Sequence, residues 1–187
     1  MSKFTDAMLD LETLGIQHDA VIASVGIVFF NKGEDVTSEI LLSNERTFTA
    51  TFNLAHQQNV GRKIDADTVR WWIGQSAMAK TGGATFANVG GNQPNYNRDI
   101  LVKVSDALKD VKRLWGNGAG FDNELLRSLF KSYGIPFPLK YWTDCCYRTI
   151  KNIAGKDVLP FPKDLTKHIA IHDAAYQVLN LQHLLKD

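Results

Sequence analysis

"AMLDLETLG", residues 7–15, decides how the rest of the chain is read. The run has the composition of a β-strand, and in a strand residues two apart point to the same face, so the carboxylates of Asp10 and Glu12 stand side by side. Met8, Leu9, Leu11 and Leu14 make both faces of the segment apolar, which marks an interior strand rather than an edge whose polar side meets water. Two acids so placed repel each other. Unless positive charge sits between them, one must hold a proton or the strand bears the desolvation cost.

Working outward, "AVIASVGIVFFN" (20–31) and "RTFTATFNL" (46–54) are further β-rich runs, and with the first they predict an antiparallel meander. "DADTVRWWIGQS" (65–76) places an Asp ahead of apolar residues at helical spacing, and "NRDILVKVSDALKDVKRLW" (97–115) predicts a longer amphipathic helix running into a strand. The Gly- and Asn-rich stretch 80–95 between them predicts a mobile loop. After it come a short strand at "RLWGN", a turn at "GAG", a helix from "FDNELLRSLFKSYG", a strand around "YWTDCC" and a closing helix over 172–186. This order predicts an α/β domain, a mixed sheet with helices on its faces.

At 187 residues and 44% apolar, the chain has the size of one domain spanning residues 1–187. No apolar run approaches membrane-spanning length and "MSKFTD" has no secretory pattern, so the expected compartment is the cytoplasm, with no membrane partner. The adjacent Cys145 and Cys146 fit a reducing environment. With 21 basic residues against 20 acidic ones, a strongly basic nucleic-acid coat is excluded, so any nucleic-acid partner is held at a local site.

Two more acids share the setting of the opening pair. Asp122 follows a strand-like run in "WGNGAGFDNELL", where Gly118 and Gly120 allow a tight turn, although an acid there also serves as a helix cap. Asp173 lies in "HIAIHDAAYQVLNL", where Ala174 and Ala175 allow a helix to press on the strand bearing Asp10; an acid in a first helical turn is also favoured by the helix dipole. Asp10, Glu12, Asp122 and Asp173 brought together require cations, and hard oxygen ligands select Mg2+ or Mn2+. Two such ions about 3.5–4 Å apart serve phosphodiester hydrolysis. His168, neutral near pH 7, is the candidate base for the attacking water.

"DLETLG", "GNGAGFDNELL" and "HIAIHDA", in that order, resemble the three exonuclease motifs of the DEDDh superfamily of 3′-5′ exonucleases. His168 precedes Asp173 by the five positions of the third motif, whereas His172 adjoins the acid and takes the reading of a helix-start histidine. Chain length, "DADTVRWWIGQS" and "YWTDCCYRTI" are similar, more narrowly, to the phage-type 3′ exonucleases, the group of exonuclease A and the catalytic part of exonuclease VIII. The resemblance implies an RNase H-like fold with a five-stranded mixed sheet, three antiparallel strands followed by two parallel to the first. It implies release of nucleoside 5′-monophosphates from 3′ ends, with Asp10, Glu12 and Asp173 on a first metal ion, Asp10 reaching a second, Asp122 acting partly through water, and His168 as base. The backbone near Thr13 and Leu14 would receive the terminal nucleotide. Ile169, Ile171 and His172 make the third motif more apolar than is usual in the family.

Of Trp71 and Trp72, one is expected to line the strand path and stack on a base, and Trp72 is the ring assigned. Lys80, Arg98, Arg148 and Lys163 are unranked candidates for phosphate contacts. Single-stranded DNA is the expected substrate, with RNA 3′ ends as the alternative. Two rivals share parts of the pattern: a haloacid dehalogenase-type phosphatase, for which Glu12 stands where a second Asp is needed, and a non-catalytic nucleic-acid clamp.

Overall fold

A computed structural model describes residues 3–76 and 91–186. Most of the predicted 80–95 loop, Lys80 included, lies outside the described residues. The strands are β1 (Asp6–Thr13), β2 (Ile22–Phe30), β3 (Thr47–Thr51), β4 (Arg113–Gly116) and β5 (Asp144–Cys146). They form one sheet in the order β3-β2-β1-β4-β5. β1 runs antiparallel to β2 and β2 to β3, while β4 runs parallel to β1 and β5 to β4. This is the mixed sheet that the motifs implied.

The helices are α1 (Ser38–Leu41), α2 (Leu54–Asn59), α3 (Ala66–Ile73), α4 (Tyr96–Leu108), α5 (Asp122–Ser132), α6 (Tyr147–Ile153) and α7 (Ala170–Leu184). α3 starts where its sequence says, because the Asp65 carboxylate accepts a hydrogen bond from the Thr68 N–H at 2.7 Å. α6 was not legible in the sequence. Thr149, Ile150 and Ile153 lower its intrinsic helix propensity, and it forms because Tyr147 and Ile150 pack into the core beneath α7. Only 144–146 of the predicted "YWTDCC" strand is extended; Tyr141–Thr143 is a 3-10 turn.

The period of two along β1 divides the core. Ala7, Leu9 and Leu11 join the apolar cluster that includes Leu101, Val104 and Leu108 of α4 and Leu125, Leu126 and Leu129 of α5. Met8 points the other way, into the cluster that includes Ala174, Ala175, Val178 and Leu181 of α7. Asp10 and Glu12 share the parity of Met8 and so lie on the face covered by α7. Asp10 pairs across the ladder with Gly26. A Cβ at Gly26 would stand 2.3 Å from the Ile171 backbone nitrogen, so only a glycine lets the first turn of α7 settle onto β2 beside the two acids.

Candidate active site

The strand contains its own control. Asp6, on the same face as Asp10 and Glu12, is fully buried, yet it accepts two hydrogen bonds from Arg113, at 2.5 and 2.6 Å, and one from the Trp115 indole at 2.8 Å. Burial pushes its pKa up, but the Arg113, Thr5 and Trp115 hydrogen bonds prevail and hold it below the ordinary carboxylate range. Among the described residues, no salt bridge reaches Asp10 or Glu12. One oxygen each of Asp10, Glu12 and Asp173 lie within 4.8 Å of one another, although 161 positions separate the last two in sequence.

Burial first, and then the charges of Asp122, Glu12 and Asp173, raise Asp10 well above the ordinary range, opposed by a hydrogen bond from Gln177 Nε2 at 2.7 Å. Glu12 is pushed up to about 8 by burial and by the charges of Asp173 and Asp122. Burial raises Asp122 to about 7 against backbone hydrogen bonds that include the N–H of Leu11 and against the nearby charge of Arg148. Asp173 is raised to about 6 by burial, opposed by the His168 N–H and by Lys167. Four acids that resist ionisation line one cavity, and among the described residues no salt bridge neutralises them, a chemistry that suits hard divalent ions. The Gln177 Oε1 atom is buried without a hydrogen-bond partner among the described residues, a further oxygen beside Asp10.

Local folding explains each position. Asp122 is the first residue of α5 and is reached through a turn in which Gly118 takes φ +117°, a conformation that other residues rarely adopt. Phe121, not Asp122, occupies the cap position, so the carboxylate is left to face β1. Asp173 lies in the first turn of α7, and its Oδ2 accepts the His168 N–H at 2.7 Å. That bond closes the turn and fixes the loop that carries His168.

His168 lines the same cavity as the four acids. Its φ of +63° is left-handed, and its imidazole packs edge-on against Trp71, at a ring separation of 4.9 Å and 85°. Burial, followed by the charge of Lys167, lowers its pKa below the usual value, so the ring is neutral at pH 7. His172 is occupied otherwise: its Nδ1 accepts the Thr166 N–H at 3.0 Å.

The stacking assignment of Trp72 is corrected. Trp72 is 4% exposed and donates its indole N–H to the Thr13 carbonyl at 2.9 Å, whereas Trp71, 46% exposed, presents the accessible ring. Neighbouring residues on a helix diverge by about 100°, so one of the pair had to be core. Leu14 is buried with Trp72 and Val21; its N–H is bound to the Val21 carbonyl and its carbonyl to the Asp65 N–H. The Thr13 hydroxyl donates to the Gly15 carbonyl at 2.7 Å. Thr13 lines a second cavity of about 460 Å³ with Leu11, Glu12, Ile16 and Trp71, whereas Leu14, its backbone N–H and carbonyl both taken within the protein, is not among the lining residues.

Among the phosphate candidates, Arg148 lines the acid cavity, of about 380 Å³, and Arg98 is bound to the Tyr133 carbonyl. Lys163 is exposed and is not among the lining residues. The sequence reading missed Gln177 and Lys151. Gln177 could have been found, because it stands four residues after Asp173 on one helical face. Lys151 stands three after Arg148, but on a helix that the sequence concealed.

Residues 5–185 match the model of a family described as the Rv2179c-like 3′-5′ exoribonuclease domain. No curated protein matches the chain. The fold is similar to E. coli ExoI in its zinc-bound complex with single-stranded DNA, with TM-score 0.60, 12% identity, and 96% of this chain and 40% of that chain covered. It is similar to S. pombe Pop2p in its Mg2+- and Mn2+-bound form, with TM-score 0.55, 12% identity, and 97% and 83% covered. These likenesses establish the RNase H-like exonuclease fold, and the chain spans about 40% of the length of E. coli ExoI.

Proposed function

Because the chain belongs to the Rv2179c-like 3′-5′ exoribonuclease domain family, within the DEDD exonuclease superfamily, we propose that it shortens single-stranded RNA from the 3′ end, releasing nucleoside 5′-monophosphates. The observation that carries this reading is the convergence of Asp10, Glu12 and Asp173 within 4.8 Å, with no salt bridge to any of them among the described residues. Asp10, Glu12 and Asp173 would hold one divalent ion, with Asp10 and Asp122 serving a second. When bound, such ions polarise the phosphodiester and lower the pKa of the attacking water.

The chain's own residues do the rest. Gln177 fixes the rotamer of Asp10 through its 2.7 Å hydrogen bond. Neutral His168, anchored through its backbone to Asp173, accepts the proton from water. As the water oxygen bonds to phosphorus, the bond to the O3′ of the penultimate nucleotide breaks. That oxygen takes a proton from solvent and becomes the new 3′ hydroxyl. The cavity between Thr13 and Trp71 offers the terminal nucleoside an apolar wall and an exposed ring.

RNA stands first because the matched family is an exoribonuclease domain. DNA is the second reading. It is favoured by the similarity of the motifs to phage-type exonucleases and by the single-stranded DNA in the E. coli ExoI complexes. The test is digestion of matched 5′-labelled single-stranded RNA and DNA with Mg2+, Mn2+ or chelator. A ladder descending from the 3′ end, abolished by chelator and by Asp10→Asn, is expected. Chelator-resistant cleavage, or none of either polymer, refutes the reading.

A further inference from the structure

Arg148 and Lys151 are three residues apart on α6 and so share one helical face, which lines the acid cavity. Lys167, from the loop before α7, lines it as well, together with Phe161 and Tyr176. None of these three cations is paired with a carboxylate among the described residues, whereas Arg46, Lys63, Arg70, Arg113, Arg127 and Lys186 all are. Arg148 is held in place without being neutralised. It donates one hydrogen bond to the Asn117 carbonyl at 2.6 Å, and its guanidinium lies over Gly118, where a Cβ would come within 3.3 Å of it.

The second cavity has the opposite character. It meets the first at Leu11 and Glu12, which line both, but its charged rim is Asp65 and Asp67, and among the described residues no basic side chain lines it. A polyanion threaded past Glu12 therefore meets cations on one side of the acids and carboxylates on the other. The acidic side accepts a single terminal nucleoside and discourages further phosphates. The basic side suits a continuing backbone.

Resting on the exonuclease reading above, we propose that Arg148 and Lys151, with Lys167 across the cavity, form a phosphate subsite that holds the nucleic-acid strand on the 5′ side of the scissile bond. This charge arrangement sets the polarity of attack: the strand lies along α6 and its 3′ terminal nucleoside projects towards Trp71. It also makes activity depend on length, since a substrate lacking an upstream phosphate leaves the subsite empty.

The experiment compares a 5′-labelled 20-nucleotide RNA with thymidine 5′-monophosphate p-nitrophenyl ester, which has no upstream nucleotide, in wild-type protein, Arg148→Ala with Lys151→Ala, and Arg148→Lys with Lys151→Arg. For the double alanine variant, kcat/KM on the RNA is expected to fall about tenfold more than on the ester, mainly through KM. The slope of log(kcat/KM) against log salt should become shallower by about 0.7 for each phosphate that the protein no longer neutralises. The charge-retaining variant should recover most of the difference. Equal losses on both substrates would assign Arg148 only the structural task of holding the Asn117 carbonyl and overturn the subsite, as would no loss on either. Wild-type protein inert on both substrates refutes the exonuclease reading itself, a result distinct from either of these.

Discussion

Asp10→Asn should remove activity and at the same time stabilise the metal-free protein. The substitution keeps the shape of the side chain and an oxygen to accept the Gln177 hydrogen bond, but deletes an ionisable group within 4.8 Å of Glu12 and Asp173. Taking 4.8 Å as the separation, two unit charges repel by about 3.5 kcal/mol at an effective dielectric of about 20. Partial protonation of the cluster relieves some of this, which leaves a gain of about 1–3 kcal/mol near pH 8. For a chain of this size that corresponds to a rise in Tm of about 2–12 °C. The pH dependence follows from the raised acids: Glu12 holds its proton to about 8, Asp122 to about 7 and Asp173 to about 6. Unfolded carboxylates release theirs near 4, so between about pH 4 and 8 the folded state binds more protons and its metal-free stability falls as pH rises. The advantage of Asp10→Asn should therefore be large at pH 8 and small at pH 5. Mg2+ should reverse the order by raising the Tm of the wild type and not that of the variant. Thermal melts in chelator and in Mg2+ at both pH values check this. A variant less stable than wild type at pH 8 without metal, or a gap that does not change with pH, would refute the repulsive cluster.

Three further outcomes follow from the geometry. Gly26→Ala places a methyl 2.3 Å from the Ile171 nitrogen, so α7 must shift; a loss of about 1–3 kcal/mol in denaturant melts is expected, together with weaker Mg2+ stabilisation, and an unchanged Mg2+ response would detach Asp173 from the site. His168→Ala should lower kcat by about 10²–10⁴-fold while leaving the Mg2+-induced rise in Tm in place, because the backbone N–H that binds Asp173 survives; an unchanged kcat passes the base role to solvent. Trp72→Phe loses the hydrogen bond to the Thr13 carbonyl and should cost about 1–2 kcal/mol of stability, whereas Trp71→Ala should leave stability nearly unchanged and raise KM; the opposite pattern would restore Trp72 as the stacking ring.

The sequence by itself determined the strands, the two-residue period that set Asp10 beside Glu12, the Asp65 cap, and the order of the motifs bearing Asp122, His168 and Asp173. These features are local, since they depend on backbone periodicity and on which side chains suit a turn or a first helical turn. The tertiary structure alone decided which acids are left without cations. Asp6 reads in sequence like its neighbours on β1 and is neutralised by Arg113, from a strand 107 positions away, while Asp10 accepts a neutral hydrogen bond from Gln177. It alone separated Trp71 from Trp72 and turned His168 onto Trp71. It also formed α6, with Arg148 and Lys151 on one face, from residues of weak helical preference. Each of these outcomes depends on segments far apart in the chain meeting in space, and the energy of such a meeting is a property of the packed pair that neither segment carries in its own pattern.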